Sequence, residues 1–396
     1  MVFLFVVAAI VLSSVQAGAR TWRVEKDGSG DFEIIQDAVD VAASGDTVRV
    51  GLGRFADMHW VVVPGWSDSV CVRIEQEELT LIGSGPETII GPDEPWGEIQ
   101  GRRKGVVVGD YWGNRSVTIS GLSVENMAVA FYMSYESIEG ELVGISECTF
   151  RDNNIAVYLL GNGGGAVISG CEFNDMVGSG YLIAAWNQGD LDVEDCRFEL
   201  SYYNLDSQRI MACTGVRDLD VRRCDFLEGV TGFNIAYCEA ARFESCLFVG
   251  QRYQAIFLMV ENVVQVSGCK FEEQACVARS QSDLVDLTLS DCAFEGIDEA
   301  AFDISYIGSL TVNGCDLQGG VDGIVNITDI TNCDEVVTLD MTGNYWGTAD
   351  ADSIEALIRD NSDSPDACYL VDYSGFLSES TPTEKKSLGD LKSLFR

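Results

Sequence analysis

The sequence predicts an all-β solenoid, a parallel β-helix, because one short phrase returns at a nearly fixed interval. The phrase is apolar-x-apolar-x-x-Cys-x-Phe, and the steps between successive Cys are 23, 25, 28, 22, 23, 23 and 23 residues. A period of this length indicates stacked repeats. Alternation inside the phrase has period 2, and a second apolar stretch follows about ten residues later, so each unit holds two or three short strands. The Leu-rich and Asn-containing consensus of leucine-rich repeats is absent. The eight phrase cysteines are Cys148, Cys171, Cys196, Cys224, Cys246, Cys269, Cys292 and Cys315.

These cysteines are predicted to point inward, one per coil, about 4.8 Å apart as parallel strands are. Free thiols are favoured because buried Cys packs as a small apolar residue. Disulfides are the alternative in an exported protein, although side chains that point the same way fit the disulfide torsion poorly. Cys213 and Cys238 are the better disulfide candidates, since they lie at like phases of adjacent coils. No Cys-x-x-Cys occurs, so no zinc site is expected.

The residue between Cys and Phe is predicted to face water. At this position Glu172, Arg197 and Asp225 alternate in sign on successive coils, as neighbouring strands prefer. The pattern indicates a solvated face that supports the register, and it is no sign of a functional site. The full set is Thr149, Glu172, Arg197, Asp225, Leu247, Lys270, Ala293 and Asp316.

The N-terminus has the features of an export signal. Residues 1–19 carry no charge, Val2–Val11 is an unbroken apolar run, and Ala17-Gly18-Ala19 is the small-x-small pattern that signal peptidases cleave. A membrane anchor is the rival interpretation, but the run is too short to span comfortably. We therefore expect cleavage near Ala19 and a mature chain that is secreted or bound to the cell envelope, without a transmembrane anchor.

The two ends of the solenoid are predicted to be capped. Residues 20–46 form an N-terminal cap with an amphipathic helix, whose apolar stripe is Ile34, Ile35, Ala38, Val39 and Ala42 and whose start Asp31 can cap. Residues 47–377 form the β-helix with a C-terminal closure. The closure contains a short helical pattern over Ala351–Arg359 and a last strand over Tyr369–Tyr373. Residues 378–396 are predicted to be a flexible tail that can hold a short helix.

Two segments carry a resemblance to a known group of proteins. Val24-Glu-Lys-Asp-Gly-Ser-Gly-Asp-Phe, followed by Gly45-Asp-Thr-Val, resembles the start of pectin-lyase-like right-handed β-helix proteins, pectin methylesterases included. Asn344-Tyr-Trp-Gly resembles the end of secreted bacterial members of that group. The resemblance spans residues 22–377 and implies a right-handed helix of ten or eleven coils. It does not imply an activity, because the group contains lyases, hydrolases, esterases and non-catalytic proteins.

Charge and motifs narrow the function further. The formal net charge is 25 − 63 = −38, which argues against nucleic-acid binding. It favours a neutral glycan or a protein partner over a bare uronate polymer unless Ca²⁺ intervenes. The single His, His59, excludes multi-His metal sites. The downstream catalytic segments of pectin methylesterases and of polygalacturonase-like hydrolases have no match in this sequence. No cofactor is required by any motif, and Ca²⁺ is the one ion that the abundant carboxylates suggest.

Departures from the period are where grooves are expected, since excursions from the coils build them. Residues 84–115 and the 28-residue coil are the two clearest departures. Aromatic and basic residues there suit sugar binding, and a carboxylate beside an Arg suits proton transfer. A polar loop with surface ion pairs is the alternative. The binding candidates are Trp96, Arg102, Tyr111, Trp112, Tyr202 and Tyr203; the catalytic candidates are Asp206, Arg209 and Asp175.

Three functions are consistent with these features. The first is a secreted or envelope-associated β-helix that binds a polysaccharide or cell-surface glycan and has no identifiable catalytic motif. The second is a polysaccharide lyase or hydrolase that uses Asp and Arg, with or without Ca²⁺. The third is a structural, adhesin-like surface module whose acidity serves solubility. Whether the chain is catalytic stays open at the level of the sequence.

Overall fold

Three long β-sheets, called A, B and C below, wind around one apolar core in this computed structural model. The structure describes residues 18–63, 66–97, 102–109, 116–134, 142–161, 164–177, 181–187, 189–200, 209–318, 323–327, 336–363 and 368–380. The predicted signal peptide therefore lies almost wholly outside the described residues, as does most of the predicted tail.

Sheet A runs the whole length of the solenoid and holds fourteen strands. They are β1 (Thr21–Val24), β2 (Thr47–Val50), β6 (Thr80–Ile82), β9 (Val117–Ser120), β12 (Leu142–Ser146), β15 (Gly165–Ser169), β18 (Asp190–Glu194), β21 (Asp218–Arg222), β24 (Ala240–Glu244), β27 (Asn262–Ser267), β30 (Val285–Ser290), β33 (Ser309–Asn313), β36 (Val337–Asp340) and β38 (Tyr369–Asp372).

Sheet B follows sheet A along the chain in each turn and has eleven strands, which count about eleven turns. They are β3 (Gly53–Phe55), β7 (Thr88–Ile90), β10 (Ser123–Glu125), β13 (Thr149–Asn153), β16 (Glu172–Met176), β19 (Arg197–Glu199), β22 (Asp225–Leu227), β25 (Leu247–Val249), β28 (Lys270–Glu272), β31 (Ala293–Glu295) and β34 (Asp316–Leu317).

Sheet C completes each turn and has thirteen strands. All pairings in the three sheets are parallel except that of β4 with β5, which is antiparallel. The strands are β4 (His59–Val63), β5 (Trp66–Ile74), β8 (Arg103–Val108), β11 (Val129–Ser134), β14 (Ile155–Leu160), β17 (Tyr181–Trp186), β20 (Arg209–Thr214), β23 (Thr231–Ala236), β26 (Gln254–Val260), β29 (Ala278–Gln281), β32 (Phe302–Tyr306), β35 (Val325–Ile327) and β37 (Ile358–Arg359).

The corner between sheets A and B has the same conformation in turn after turn. The residue directly before each phrase Cys has a positive φ, for example 53° at Glu147, 60° at Gly170 and 54° at Asp195. A left-handed residue reverses the chain sharply, and Gly and Asp adopt that conformation more readily than most residues. The phrase therefore encodes a sheet A strand, a tight corner and a sheet B strand, which confirms the predicted solenoid.

The phrase cysteines line this corner as free, buried thiols, as predicted. Each thiol faces carbonyl oxygens; the Sγ of Cys171 lies 3.4 Å from the Ser169 oxygen and 3.7 Å from the Ile145 oxygen one turn earlier. Cys213 and Cys238 are also free, so their interpretation as a disulfide is wrong. Complete burial raises the pKa of the Cys213 thiol well above its ordinary value.

The phrase phenylalanines stack into a continuous column inside the solenoid. Neighbouring ring centroids lie 4.5 to 5.2 Å apart and the rings are nearly parallel. Because each ring contacts the turn above and the turn below, the column ties the coils together. Its members are Phe150, Phe173, Phe198, Phe226, Phe248, Phe271 and Phe294.

The predicted water-facing positions are only partly exposed. The register places Glu172 opposite Arg197 and Arg197 opposite Asp225, as predicted. Leu247, however, is 4 % exposed, because it packs outside the main core with Leu227 and Val249. The other two exceptions, also buried, are Ala293 and Asp316.

The N-terminal helix α1 (Ile35–Val41) covers the first coil, and it buries Ile35, Ala38 and Val39 as predicted. Asp31 does not cap this helix, contrary to our prediction, because its carboxylate accepts a hydrogen bond from the Arg23 backbone N–H at 3.0 Å. The side chain of Gln36 instead fixes the helix to β5. It donates to the Arg73 carbonyl at 3.1 Å and accepts from the Arg73 backbone N–H at 2.7 Å.

Asp46 holds the cap together after the helix ends. Its carboxylate accepts hydrogen bonds from the backbone N–H groups of Arg20 at 2.7 Å and Ala43 at 3.0 Å and from the Trp22 indole at 3.0 Å. Burial opposes ionisation, but these hydrogen bonds and the charge of Arg20 outweigh it, so the pKa of Asp46 lies below its ordinary value.

At the other end, α2 (Ala351–Glu355) is shorter than the predicted helix, because the chain extends again at β37 to pair with β35. The Asp350 carboxylate caps it by accepting from the Ser353 N–H. Asn344 takes the place of the ladder Cys in the last turn, where it accepts from the Cys315 N–H at 2.8 Å. The predicted closing strand is β38, which ends one residue earlier than expected.

Removing one ring of the Phe column should destabilise the protein strongly. Phe226 is fully buried between Phe198 and Phe248. We expect Phe226→Ala to lower the free energy of unfolding by about 3–5 kcal/mol, measured by urea denaturation, because it leaves a cavity at an interface between turns. Phe257→Ala, on the half-exposed outer side of sheet C, is the matched control and should cost much less. If both variants lost the same free energy of unfolding, the Phe column would not stabilise the solenoid more than the outer side of sheet C does.

Asp46→Asn should loosen the N-terminal cap in a pH-dependent way. Because the folded pKa of Asp46 is lowered, the ionised carboxylate stabilises the fold above its unfolded pKa, and this stability is lost as the pH falls through the folded value. We expect a loss of about 1–3 kcal/mol near neutral pH that shrinks below about pH 4. Denaturation midpoints of both proteins across this range test it, and a pH-independent difference would contradict it.

Candidate functional site

The outer side of sheet C, called the C face below, carries a ladder of side chains with one member per turn. The members do not belong to the central core, whereas the residues beside them, such as Phe131 and Met133, do. In register order the ladder is Val107, Tyr132, Tyr158, Ala184, Ala212, Asn234, Phe257, Arg279, Asp303, Asn326 and Arg359.

Three aromatic rings form a row in the N-terminal half of the C face. Tyr132 and Tyr158 stack with centroids 5.4 Å apart, and Trp186 lies 5.8 Å from Tyr158 at a tilt of 53°. Trp186 is 39 % exposed. Burial, and then the neighbouring Tyr132, raise the pKa of Tyr158, so its hydroxyl stays protonated. The row offers apolar ring surface with polar tips, the combination that suits a polyhydroxylated ligand.

A buried ion pair supports the start of this row. The Lys104 ammonium lies 3.0 Å from the Asp68 carboxylate and 3.6 Å from the centroid of the Tyr132 ring. Burial lowers the pKa of Lys104, and the hydrogen bond to Asp68 offsets part of that effect. Since both charges are almost fully buried and contact each other, their role is to position Tyr132 rather than to meet a ligand.

Arg209 lies in the middle of the C face, at the first position of β20. Its guanidinium donates a hydrogen bond to the Tyr181 hydroxyl at 3.2 Å and lies 5.9 Å from that ring. Among the residues that the structure describes, no carboxylate forms an ion pair with Arg209. The adjacent ladder positions are Ala184 and Ala212, which are both buried.

The C-terminal half of the C face is a polar network. Arg279 contacts Asp303 at 2.8 Å, Glu299 at 3.6 Å and the amide oxygen of Gln254 at 3.4 Å. The Asn326 amide donates to the other Asp303 oxygen at 3.4 Å. The C face therefore changes along the solenoid axis, from aromatic to cationic to hydrogen-bonding.

The sequence candidates are only partly brought together. Arg209 lies on the C face, and the half-buried Trp96 and exposed Arg102 precede β8 of sheet C. The backbone of Asp175 belongs to β16 in sheet B, so this catalytic candidate does not share a sheet with Arg209. The remaining candidates, Tyr111, Trp112, Tyr202, Tyr203 and Asp206, lie outside the described residues.

Sequence reasoning missed the aromatic row and Tyr181. The signal was present: Tyr132, Tyr158 and Trp186 follow one another by 26 and 28 residues in the second apolar stretch of each unit. An alignment of the units on their Cys does not reveal this spacing, because the number of residues between the Cys and the next sheet C strand varies between units.

Two cavities lie away from the C face. One of about 640 Å³ is lined by Tyr237, Glu239, Glu261 and Asp283, and one of about 540 Å³ is lined by Arg197, Glu228 and Arg252 among others. Neither includes the aromatic row. We place the candidate site on the C face because stacking surface, a cation and hydrogen-bonding groups lie there in sequence.

No cluster of three or more His, Cys, Asp or Glu suited to a metal occurs within the described ranges. Over the same ranges, the structure contains no helix with the length and apolarity needed to cross a bilayer.

Several solved structures are similar to this chain, and no curated protein matches it. The A-module of mannuronan C-5 epimerase AlgE4 from Azotobacter vinelandii is 13 % identical, with 74 % of this chain and 94 % of that chain covered and a TM-score of 0.39. Pectin methylesterase from carrot is 12 % identical, with 74 % and 89 % covered and a TM-score of 0.34. A capsular polysaccharide depolymerase, the tailspike protein gp49 of Acinetobacter baumannii bacteriophage Fri1, is 11 % identical, with 96 % and 65 % covered and a TM-score of 0.37.

The family comparison is decisive for the fold. The model of the right-handed β-helix region matches residues 99–202 and 210–336, which together are more than half of the chain. These ranges coincide with the turns that carry the Cys and Phe ladders. The chain therefore belongs to the family of right-handed parallel β-helix proteins.

Proposed function

We propose that this protein binds a linear polysaccharide along the C face. The observation that carries the proposal is the row of Tyr132, Tyr158 and Trp186 on three consecutive turns. The row runs across the strands and so along the solenoid axis, where an extended chain of sugars meets one ring per turn. Trp186, the most exposed ring of the row, presents an apolar surface for the C–H face of a sugar, whereas Tyr132 and Tyr158 are half-buried, stack on each other and support it. The polar groups beyond the row fix the orientation of the ligand.

Arg209 gives this site a preference for an anionic group. A guanidinium binds a carboxylate or sulfate through charge-assisted hydrogen bonds, and Arg209 has no described acidic partner to compete. The net charge of −38 repels polyanions elsewhere on the surface. We therefore propose a glycan that is largely neutral and carries an acidic unit where it passes Arg209, which refines the expectation of a purely neutral ligand.

Catalysis at the same place is the second candidate. The 3.2 Å contact between Arg209 and the Tyr181 hydroxyl favours it, because the contact places a cation beside a hydroxyl group that can take part in proton transfer. Such a pair suits removal of the proton next to a sugar carboxylate, the first step of a lyase. Export of the protein is also part of our proposal, and the participation of Cys368 in a disulfide supports an oxidising compartment.

Trp186→Ala and Tyr158→Ala should each weaken glycan binding. We expect each dissociation constant to rise about tenfold, equivalent to about 1.4 kcal/mol. Trp186→Ala removes the exposed stacking surface, and Tyr158→Ala removes the ring that supports Trp186, while the fold stays intact. Isothermal titration with neutral and uronic-acid polysaccharides, with Ca²⁺ or with chelator, provides the measurement. Tyr237→Ala, which removes an exposed ring at another corner, is the matched control and should bind as the parent does. Unchanged affinity in both C-face variants would place the site elsewhere.

Arg209→Gln should act selectively on acidic glycans. We expect weaker binding of uronate-containing polymers, a smaller salt dependence and unchanged binding of neutral ones, because the change removes charge and keeps hydrogen-bonding capacity. New reducing ends and the ultraviolet absorbance of unsaturated products are followed in the same incubations. Unsaturated products that disappear in Arg209→Gln would establish the lyase. Equal losses for neutral and acidic glycans would contradict the assignment of Arg209.

A further inference from the structure

The outermost strand of sheet C has a free edge. β4 pairs with β5 on one side, and within the described part of the chain no strand pairs with its other side. Its backbone groups on that side can therefore accept another strand. The edge strands at several other ends of the sheets are only two or three residues long, namely β3, β34 and β37, whereas β4 has five residues.

The side chains of β4 do not protect this edge. Trp60 and Val62 are 66 % and 70 % exposed, more than any other large apolar side chain in the described ranges. Both lie on the side of the hairpin that carries Ser67 and Ser69, which are too small to cover them. No residue of β4 is an Asp, Glu, Lys or Arg, although charged residues are the usual protection of an exposed edge.

We propose that two copies of this chain pair through β4 in antiparallel orientation, about a two-fold axis at Val61. In this register Trp60 of each copy lies opposite Val62 of the other, an aromatic and β-branched pair that strands favour. Two copies meet in the same way on both sides of the axis, as closed dimers require.

The distribution of charge favours contact between two copies at β4 over contact at other parts of the surface. Two molecules that each carry a net charge of −38 repel one another over most of their surfaces. The uncharged β4 is a place where contact brings no acidic side chains of the strand itself together. β4 is already antiparallel to β5, so a further antiparallel strand continues the local pairing and twist.

The pairing would join the two C faces. A two-fold axis perpendicular to the sheet keeps both outer sides of sheet C on the same side of the dimer. The aromatic rows of the two copies then lie in line, on either side of the junction. A long glycan could contact both, which raises the effective affinity without any new contact.

The mass in solution tests the pairing. We expect the wild-type chain to elute with twice the mass of one chain in light-scattering chromatography at concentrations up to about 100 µM. Val62→Lys should give the mass of one chain with an unchanged thermal midpoint, because it puts a charge on the pairing edge. Leu284→Lys, at a residue 58 % exposed in a turn, is the control and should keep the paired mass. A wild-type mass of one chain, or a paired mass in Val62→Lys, would overturn the proposal.

A cross-link tests the register. In the double variant Trp60→Cys/Val62→Cys the introduced thiols face each other across the two copies, so oxidation should yield a covalent dimer on a non-reducing gel. Val62→Cys alone should cross-link far less, since Trp60 then faces the thiol. Equal cross-linking of the two variants, or none in the double variant, would reject this register. Binding of an unrelated protein to a chain that stays single would also reject the proposal.

Discussion

The corner between sheets A and B is the constraint on which the rest of the structure depends. From β9 to β33, each turn passes this corner through one left-handed residue followed by a buried Cys or, at the first of them, Leu122, as at Asp195-Cys196 and Gly268-Cys269. Two residues form the corner in all of these turns, so their changes in coil length fall at the other two corners. Residues 201–208 lie between sheets B and C, and residues 135–141 lie between sheets C and A. The segments of variable length therefore border sheet C. Because the corner between sheets A and B is constant, variation that can build a functional site is confined to the sheet C side of the solenoid.

The register that this corner imposes also explains the ladders. Parallel strands in register place like residues above one another, which suits Phe rings and thiols inside and gives a row of rings outside. The thiol is small enough for the corner and still reaches carbonyls of its own turn and of the previous one, as Cys246 does. In the last turn Asn344 takes over with stronger amide hydrogen bonds to Val312 and Met341.

The fold could be predicted from the sequence much better than the site. The Cys–Phe phrase is periodic, and a period can be recognised without knowing the geometry of the corners. The solenoid, its caps and the inward ladders could therefore be predicted. Asp31 was misassigned because a carboxylate near a helix start has several backbone N–H groups in reach, and the sequence does not rank them. Leu247 was expected to face water because the alternation of the phrase places it on the outer side of its strand. Alternation cannot show that Leu227, Leu247 and Val249 pack together on that side. Prediction of the aromatic row requires the register of the sheet C strands. The sequence does not give this register directly, because the corners on either side of sheet C vary in length.

The position of Arg209 differs from that of arginines which neutralise carboxylates along the solenoid. Like charges sit opposite each other on sheet A, for example Asp190 beside Asp218, an arrangement that is unfavourable on its own. Arginines relieve it locally: Arg217 binds both oxygens of Asp190 at 2.8 and 2.9 Å, and Arg242 reaches Asp218 at 3.4 Å. Arg217 and Arg242 thus lie where carboxylates of successive turns are close together. Arg209 differs, since its described partner is a tyrosine hydroxyl beside two alanines. We propose that the Arg209 guanidinium meets an anionic group of the ligand at this position.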